Sequence, residues 1–88
     1  MGCSVRVASP LRSYTNGAAT VSAEGATVQD VLADLDRRFP GMRFRMIDEQ
    51  GRIRQHIRLF VNTDEATQLI APVRGGDTVH LICALSGG

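Results

Sequence analysis

One long amphipathic stripe sets the terms for any fold of this chain. Val28, Val31, Leu32, Leu35 and Phe39 recur at helical spacing and line a single face. Thr27 offers an N-cap hydroxyl, and Asp30 three residues later gives a capping-box-like start. Pro40-Gly41 ends the helix, because the residue before proline avoids the α region and glycine supplies a free turn. The same spacing leaves Gln29, Asp34, Asp36 and Arg37 pointing outward. A stripe this wide has to be buried against something, and the rest of the chain reads mostly as strands.

The strand signal is period two. Cys3, Val5 and Val7 alternate with Ser4, Arg6 and Ala8, and Ser9-Pro10 breaks the run. After the turn dipeptide Asn16-Gly17, Ala19, Val21 and Ala23 alternate with Thr20 and Ser22. Met42, Phe44 and Met46 also alternate, with the methionines read as gap-filling core. Asp48-Glu49-Gln50-Gly51 reads as a turn, and Ile53 as the start of a short extended piece. Ile57, Leu59 and Val61 share one face of a clear strand, with His56, Arg58 and Phe60 on the other. Residues 69–73 form a short strand or a turn interrupted by Pro72. Arg74-Gly75-Gly76-Asp77 turns into a last strand, where Val79, Leu81, Cys83 and Leu85 oppose His80, Ile82 and Ala84. One helix on one mixed sheet of four to five strands is an α+β layer arrangement.

Eighty-eight residues make one domain, with enough apolar content, 43%, for a modest core. Ten basic and nine acidic residues are interspersed, so no long-range field draws nucleic acid or an anionic membrane. The basic group Arg37, Arg38, Arg43 and Arg45 reads as a solvated helix end or as a docking patch for an acidic partner. Cys3 and Cys83 fit no metal-ligand spacing, which argues against a zinc or iron–sulfur site. The start MGCSVRV lacks signal-peptide character, and Met1-Gly2-Cys3-Ser4 reads as strand rather than as an acylation site. A reducing cytoplasm with free thiols is the expected setting. His56 and His80 have no serine or cysteine at a recognisable catalytic spacing, so no catalytic residues are expected.

The chain closes on Gly87-Gly88, after Ser86. A chance glycine pair there has a frequency of roughly 0.5% at average glycine usage. Glycine has no Cβ, so such a tail can thread a channel too narrow for other residues. Taken with Thr27 to Leu35, Phe39-Pro40-Gly41, Asp48 to Ile53, Phe60-Val61-Asn62 and Gly75 to Val79, the ending resembles the ubiquitin-like small sulfur carriers of the MoaD/ThiS/CysO group. The resemblance covers nearly the whole chain. Cys83-Ala84-Leu85-Ser86 departs from the apolar tail usual in that group, so the general chemistry is implied and no single pathway is.

The resemblance implies a ubiquitin-like β-grasp domain over residues 1–88 with a flexible Gly-Gly tail. Its first and last strands would be parallel neighbours at the sheet centre. Cys3 and Cys83 would then lie on adjacent strands, as small buried residues rather than a redox pair. It implies a carrier and not an enzyme, although such a chain can be counted as the small subunit of a molybdopterin synthase. A ubiquitin-activating-type adenylating enzyme would use ATP to activate the Gly88 carboxylate. A sulfur donor would convert it to a thiocarboxylate, and a cysteine synthase-like enzyme or a molybdopterin synthase large subunit would accept the sulfur. No cofactor or metal would be bound. The alternative is a protein modifier joined to lysines through Gly88. Phe60, His80 and Ile82 are expected on the outer sheet face near the tail, rimmed by Arg6 and Arg58. They read as isolated surface hydrophobes or, preferably, as a partner-docking patch.

Overall fold

The computed structural model describes residues 2–83. Strand β1 (Gly2–Val7) is followed by a single 3₁₀ turn (Ser9–Leu11) and by β2 (Thr20–Glu24). Helix α1 (Val28–Arg38) leads into a short helix α2 (Met42–Met46). Strands β3 (Ile57–Val61), β4 (Asp64–Glu65) and β5 (Thr78–Cys83) complete the order. The five strands form one sheet, β2-β1-β5-β3-β4. β5 is central, parallel to β1 and antiparallel to β3. This is the arrangement that the resemblance implied, with β4 as a fifth strand.

The strands form where the alternation placed them. Cys3, Val5 and Val7 are buried, as are Ile57 and Leu59, and Val79 and Leu81. They meet α1 through Val28, Val31, Leu32 and Leu35, each fully buried. Burying one such aliphatic side chain contributes roughly 1.5–3 kcal/mol relative to exposure. The Thr27 Oγ1 accepts from the Asp30 N–H at 3.2 Å, as the capping pattern predicted.

Two readings change and one open alternative is decided. Residues 69–73 take the turn, with an isolated bridge from Pro72 to Thr27, and form no named strand. Their carbonyls are spent on the helix start: Ala71 accepts from the Val28 N–H and Leu69 from the Gln29 N–H, each at 2.9 Å. Two of the orphan donors of the first helical turn are satisfied in this way. The Met42/Phe44/Met46 alternation belongs to α2 and not to a strand. Met42 and Met46 are one helical turn apart and buried, while Phe44 faces solvent. Gly41 permits the abrupt join, with φ at +93°, and Asp36 accepts from the Gly41 and Arg43 N–H groups at 3.1 and 3.2 Å.

Asp34 is the other change. It is buried rather than outward, although it lies on the rim of the apolar stripe. Its carboxylate accepts from the Glu24 N–H at 3.0 Å and pairs with Arg37 and with Arg38, the latter at 3.3 Å. The Glu24 hydrogen bond, reinforced by the two guanidinium groups, holds this carboxyl below its ordinary range.

Candidate functional site

The outer face of the sheet carries a row that takes one residue from every strand. Thr20 lies opposite Arg6, Arg6 opposite His80, His80 opposite Phe60, and Phe60 opposite Glu65. One step along, Ile82 lies opposite Arg58. All five residues expected in the docking patch therefore fall on one continuous surface. Directly opposite residues on one face are about 5 Å apart at Cβ, close enough to present a single contact area.

The patch is less bare than expected. Ile82 is 41% exposed, but Phe60 and His80 are only half-buried neighbours within the row. Phe60 has a strand on each side, with His80 and Glu65 as its cross-strand neighbours. Arg58 is committed: its guanidinium makes two hydrogen bonds of 3.1 Å to the Glu65 carboxylate. Glu65 raises the Arg58 pKa further through that contact. Arg6 has no ion pair among the described residues and remains the available cation of the rim.

A groove of about 500 Å³ adjoins this row beside the end of β5. Arg6, His80, Ile82 and Cys83 form one wall, and Pro10 and Arg12 form part of the other. Arg12 is fixed there by a 3.0 Å hydrogen bond from its Nε to the Val7 carbonyl. The reading from sequence missed Pro10 and Arg12. The available signal was topological: if β1 and β5 are parallel, the residues after β1 must flank the end of β5.

Gly88, Gly87 and Ser86 lie outside the described residues. Within the described residues the central strand β5 runs to Cys83, which lies opposite Ile57 of β3. Cys3 and Cys83 do lie on adjacent strands, both with free thiols. Cys3 is buried and Cys83 only partly so, and burial raises both thiols above their ordinary range. Among the described residues, no group of three or more histidine, cysteine or acidic side chains could hold a metal ion. Nor is any described helix long and apolar enough to cross a membrane.

The sequence profile of the ThiS family matches residues 5–88. The chain belongs to the ThiS family. It is 29% identical to the sulfur carrier protein CysO of Mycobacterium tuberculosis, over the full length of both chains. The crystal structure of that CysO superposes with a TM-score of 0.89, covering 94% of this chain and 99% of the other. The crystal structure of the Amycolatopsis orientalis BexX/CysO complex contains a chain that is 31% identical, with a TM-score of 0.90 and coverage of 98% and 99%. SAMP1 from Haloferax volcanii is 26% identical with a TM-score of 0.84, and both chains are fully covered. The ThiS-family chain thus has the β-grasp fold of the ubiquitin-like sulfur carriers, and it is a CysO homologue.

Proposed function

We propose that this ThiS-family chain carries sulfur as a thiocarboxylate on Gly88. The single observation behind this is full-length similarity to a sulfur carrier, with the sequence closing on Gly87-Gly88. A partner adenylating enzyme would supply ATP chemistry. A Gly88 carboxylate oxygen attacks the α-phosphate, pyrophosphate leaves, and an acyl-adenylate forms. Hydrogen sulfide ion then attacks the acyl carbon. The acyl–oxygen bond to AMP breaks, AMP leaves with the electron pair, and the thiol proton goes to solvent. The carboxylate needs this activation because neither of its oxygens is otherwise a leaving group.

The body of the domain serves as the address. Arg6, Phe60, His80 and Ile82 would dock the adenylating enzyme, with Arg58 and Glu65 as a fixed rim. Ser86, Gly87 and Gly88 would enter its active site. An accepting enzyme would then take the sulfur, and the BexX/CysO complex is the comparison that favours such a partner. We place the cycle in the cytoplasm, where both free thiols persist. SAMP1, a small archaeal modifier protein, supports a second reading in which Gly88 is conjugated to lysines. Intact-mass measurement tests both. The chain is incubated with ATP, sulfide and the adenylating enzyme of its own organism. The carrier reading expects a gain equal to the difference between sulfur and oxygen. No gain, together with isopeptide adducts in cells, would select the modifier.

A further inference from the structure

The arginines near the helix junction are not one patch. Arg37 and Arg38 are drawn to Asp34 and to the edge of β2. What remains is a different group, built on α2 and the segment before β3. Phe44 is 56% exposed, the guanidinium of Arg54 lies 4.6 Å from its ring centroid, and the Arg54 Nε donates to the Phe44 carbonyl at 2.7 Å. The hydrogen bond locks the stacked pair before any partner arrives. Arg45 and His56 join them around a groove of about 230 Å³ that no acidic side chain lines. Asp48, whose charge Arg54 feels, is already spent on the Gln50 and Arg52 N–H groups at 2.9 Å each.

The position of this group matters as much as its chemistry. His56 directly precedes Ile57, which lies opposite Cys83. The Cys83 side chain shares a strand face with those of Val79 and Leu81 and so faces the helix layer, where the Arg45 charge reaches it. Ile82 and His80 face the other way. The two surfaces therefore lie on opposite faces of the sheet, at the same end of β5.

We propose that Phe44, Arg45, Arg54 and His56 form a second protein-docking surface, for an acidic segment carrying a bulky apolar residue. Charge complementarity argues for that occupant. Three basic side chains and an exposed ring, with no lining carboxylate, offer sites for two or more acidic groups around one apolar contact. Preorganised aromatic and arginine side chains are what binding hot spots are enriched in. The inference rests on the carrier reading only for the kind of protein that owns the segment, an enzyme of the sulfur cycle. Two docking faces flanking one strand end would let partners that handle Gly88 in succession recognise different sides of the same carrier.

A phage-displayed library of random peptides, selected on the full chain, tests it. Selected peptides should carry at least two acidic residues beside a bulky apolar one. Synthetic versions should shift the amide signals of Phe44, Arg45, Arg54 and His56 and leave those of Phe60 and Ile82 in place. Phe44→Ala and Arg54→Ala should each weaken binding about tenfold or more. Arg54→Lys should recover only part of the loss, since it keeps the charge without the planar fork. Phe44 is exposed, and an unchanged melting temperature will show that its variant folds. Selection of neutral or basic peptides, a footprint on the Phe60 face, or no selection at all would overturn the proposal. So would binding of a single-stranded oligonucleotide at these residues in place of peptide. A normal Gly88 mass gain with failed selection sinks this surface alone. A missing gain with acidic peptides selected sinks the carrier reading and leaves the surface standing.

Discussion

The Asp34 carboxylate accepts the Glu24 backbone N–H at 3.0 Å, which fastens the main helix to the free edge of the sheet. One turn further along α1, Arg38 donates to the Ser22 carbonyl. Ser22 and Glu24 alternate with Val21 and Ala23 on β2, and their backbone groups at these positions point away from β1. An uncovered edge of this kind is a template for pairing with another chain. The helix side chains occupy part of it.

Asp34→Ala should therefore destabilise the fold by about 1–3 kcal/mol, since it leaves a donor unpaired in a partly buried place. Asp34→Asn keeps one acceptor oxygen and should cost less. The pH dependence has a definite sign. The native state holds the Asp34 carboxyl below its unfolded value, so the unfolded chain binds the extra proton first. Its contribution is present above the unfolded pKa, near 3.9, and is lost as pH falls through the lower native value. Urea denaturation between pH 5 and pH 2 should show a shallower loss of stability in Asp34→Asn than in the parent. Equal slopes would show that another carboxylate carries the effect.

Asp34 also marks the limit of what periodicity can reveal. Val28, Val31, Leu32 and Leu35 of the α1 stripe are buried as their spacing predicted, and Phe39, just past the helix end, is partly so, because a long helix beside strands has one way to hide such a face. Asp34 adjoins that stripe, and its burial depends on which strand lies alongside. That is a tertiary fact, invisible to local pattern. Met42, Phe44 and Met46 failed for a related reason. Positions i, i+2 and i+4 fit a strand, yet i and i+4 also fit one helical turn, and five residues are too few to decide. The row Arg6, His80 and Phe60 on the outer sheet face was legible because strand alternation fixes faces. Its neighbours were not, since Glu65 enters through a two-residue strand and Arg12 through a turn.

Asn62 should prove as costly to replace as a core residue. It sits in the left-handed region, with φ at +57°, where a short polar side chain is tolerated. Its side chain accepts from the Thr78 N–H at 3.0 Å and donates to Asp77 at 3.1 Å. Asp77 in turn accepts from the Arg74 N–H at 2.9 Å, which with Asn62 lowers its pKa. One side chain thus ties the β3–β4 turn to the entry of the central strand. Asn62→Ala should cost about 1–3 kcal/mol in lost hydrogen bonds and backbone strain. Asn62→Gly should relieve the strain and recover part of that. Chemical denaturation of the two variants checks the order, and a glycine variant no more stable than the alanine one would show that the strain is negligible.

Phe60→Asp should separate address from chemistry. Phe60 is half-buried between His80 and Glu65, so the change should leave the fold intact while placing a charge in the middle of the row. The added carboxylate would also lie beside Glu65. Pyrophosphate release by the adenylating enzyme should fall at least about tenfold in kcat/KM, the effect expected of a central contact. Phe60→Leu should retain most of the rate. Unchanged kinetics in a folded Phe60→Asp chain would remove this face from the activation step.

The two thiols should react slowly, separately and in a fixed order. Cys3 is buried, and desolvation chiefly raises its pKa, with the charges of Asp77 and Asp34 adding to it. Cys83 is only partly covered, and the Arg45 charge works against its desolvation. Since the thiolate is the reacting form, iodoacetamide should label Cys83 first and Cys3 only as the structure opens. A disulfide between them is excluded by register, although their strands are neighbours. Val7 lies opposite Leu81, which offsets the two cysteines along the strands by about 20 Å at ~3.3 Å per residue. A disulfide needs Cα atoms within roughly 7 Å. Mass spectrometry of the oxidised protein should therefore find no intramolecular bridge, while mild oxidant should join two chains through Cys83. An intramolecular Cys3–Cys83 bridge would require β5 to slide against β1 and would refute the parallel register.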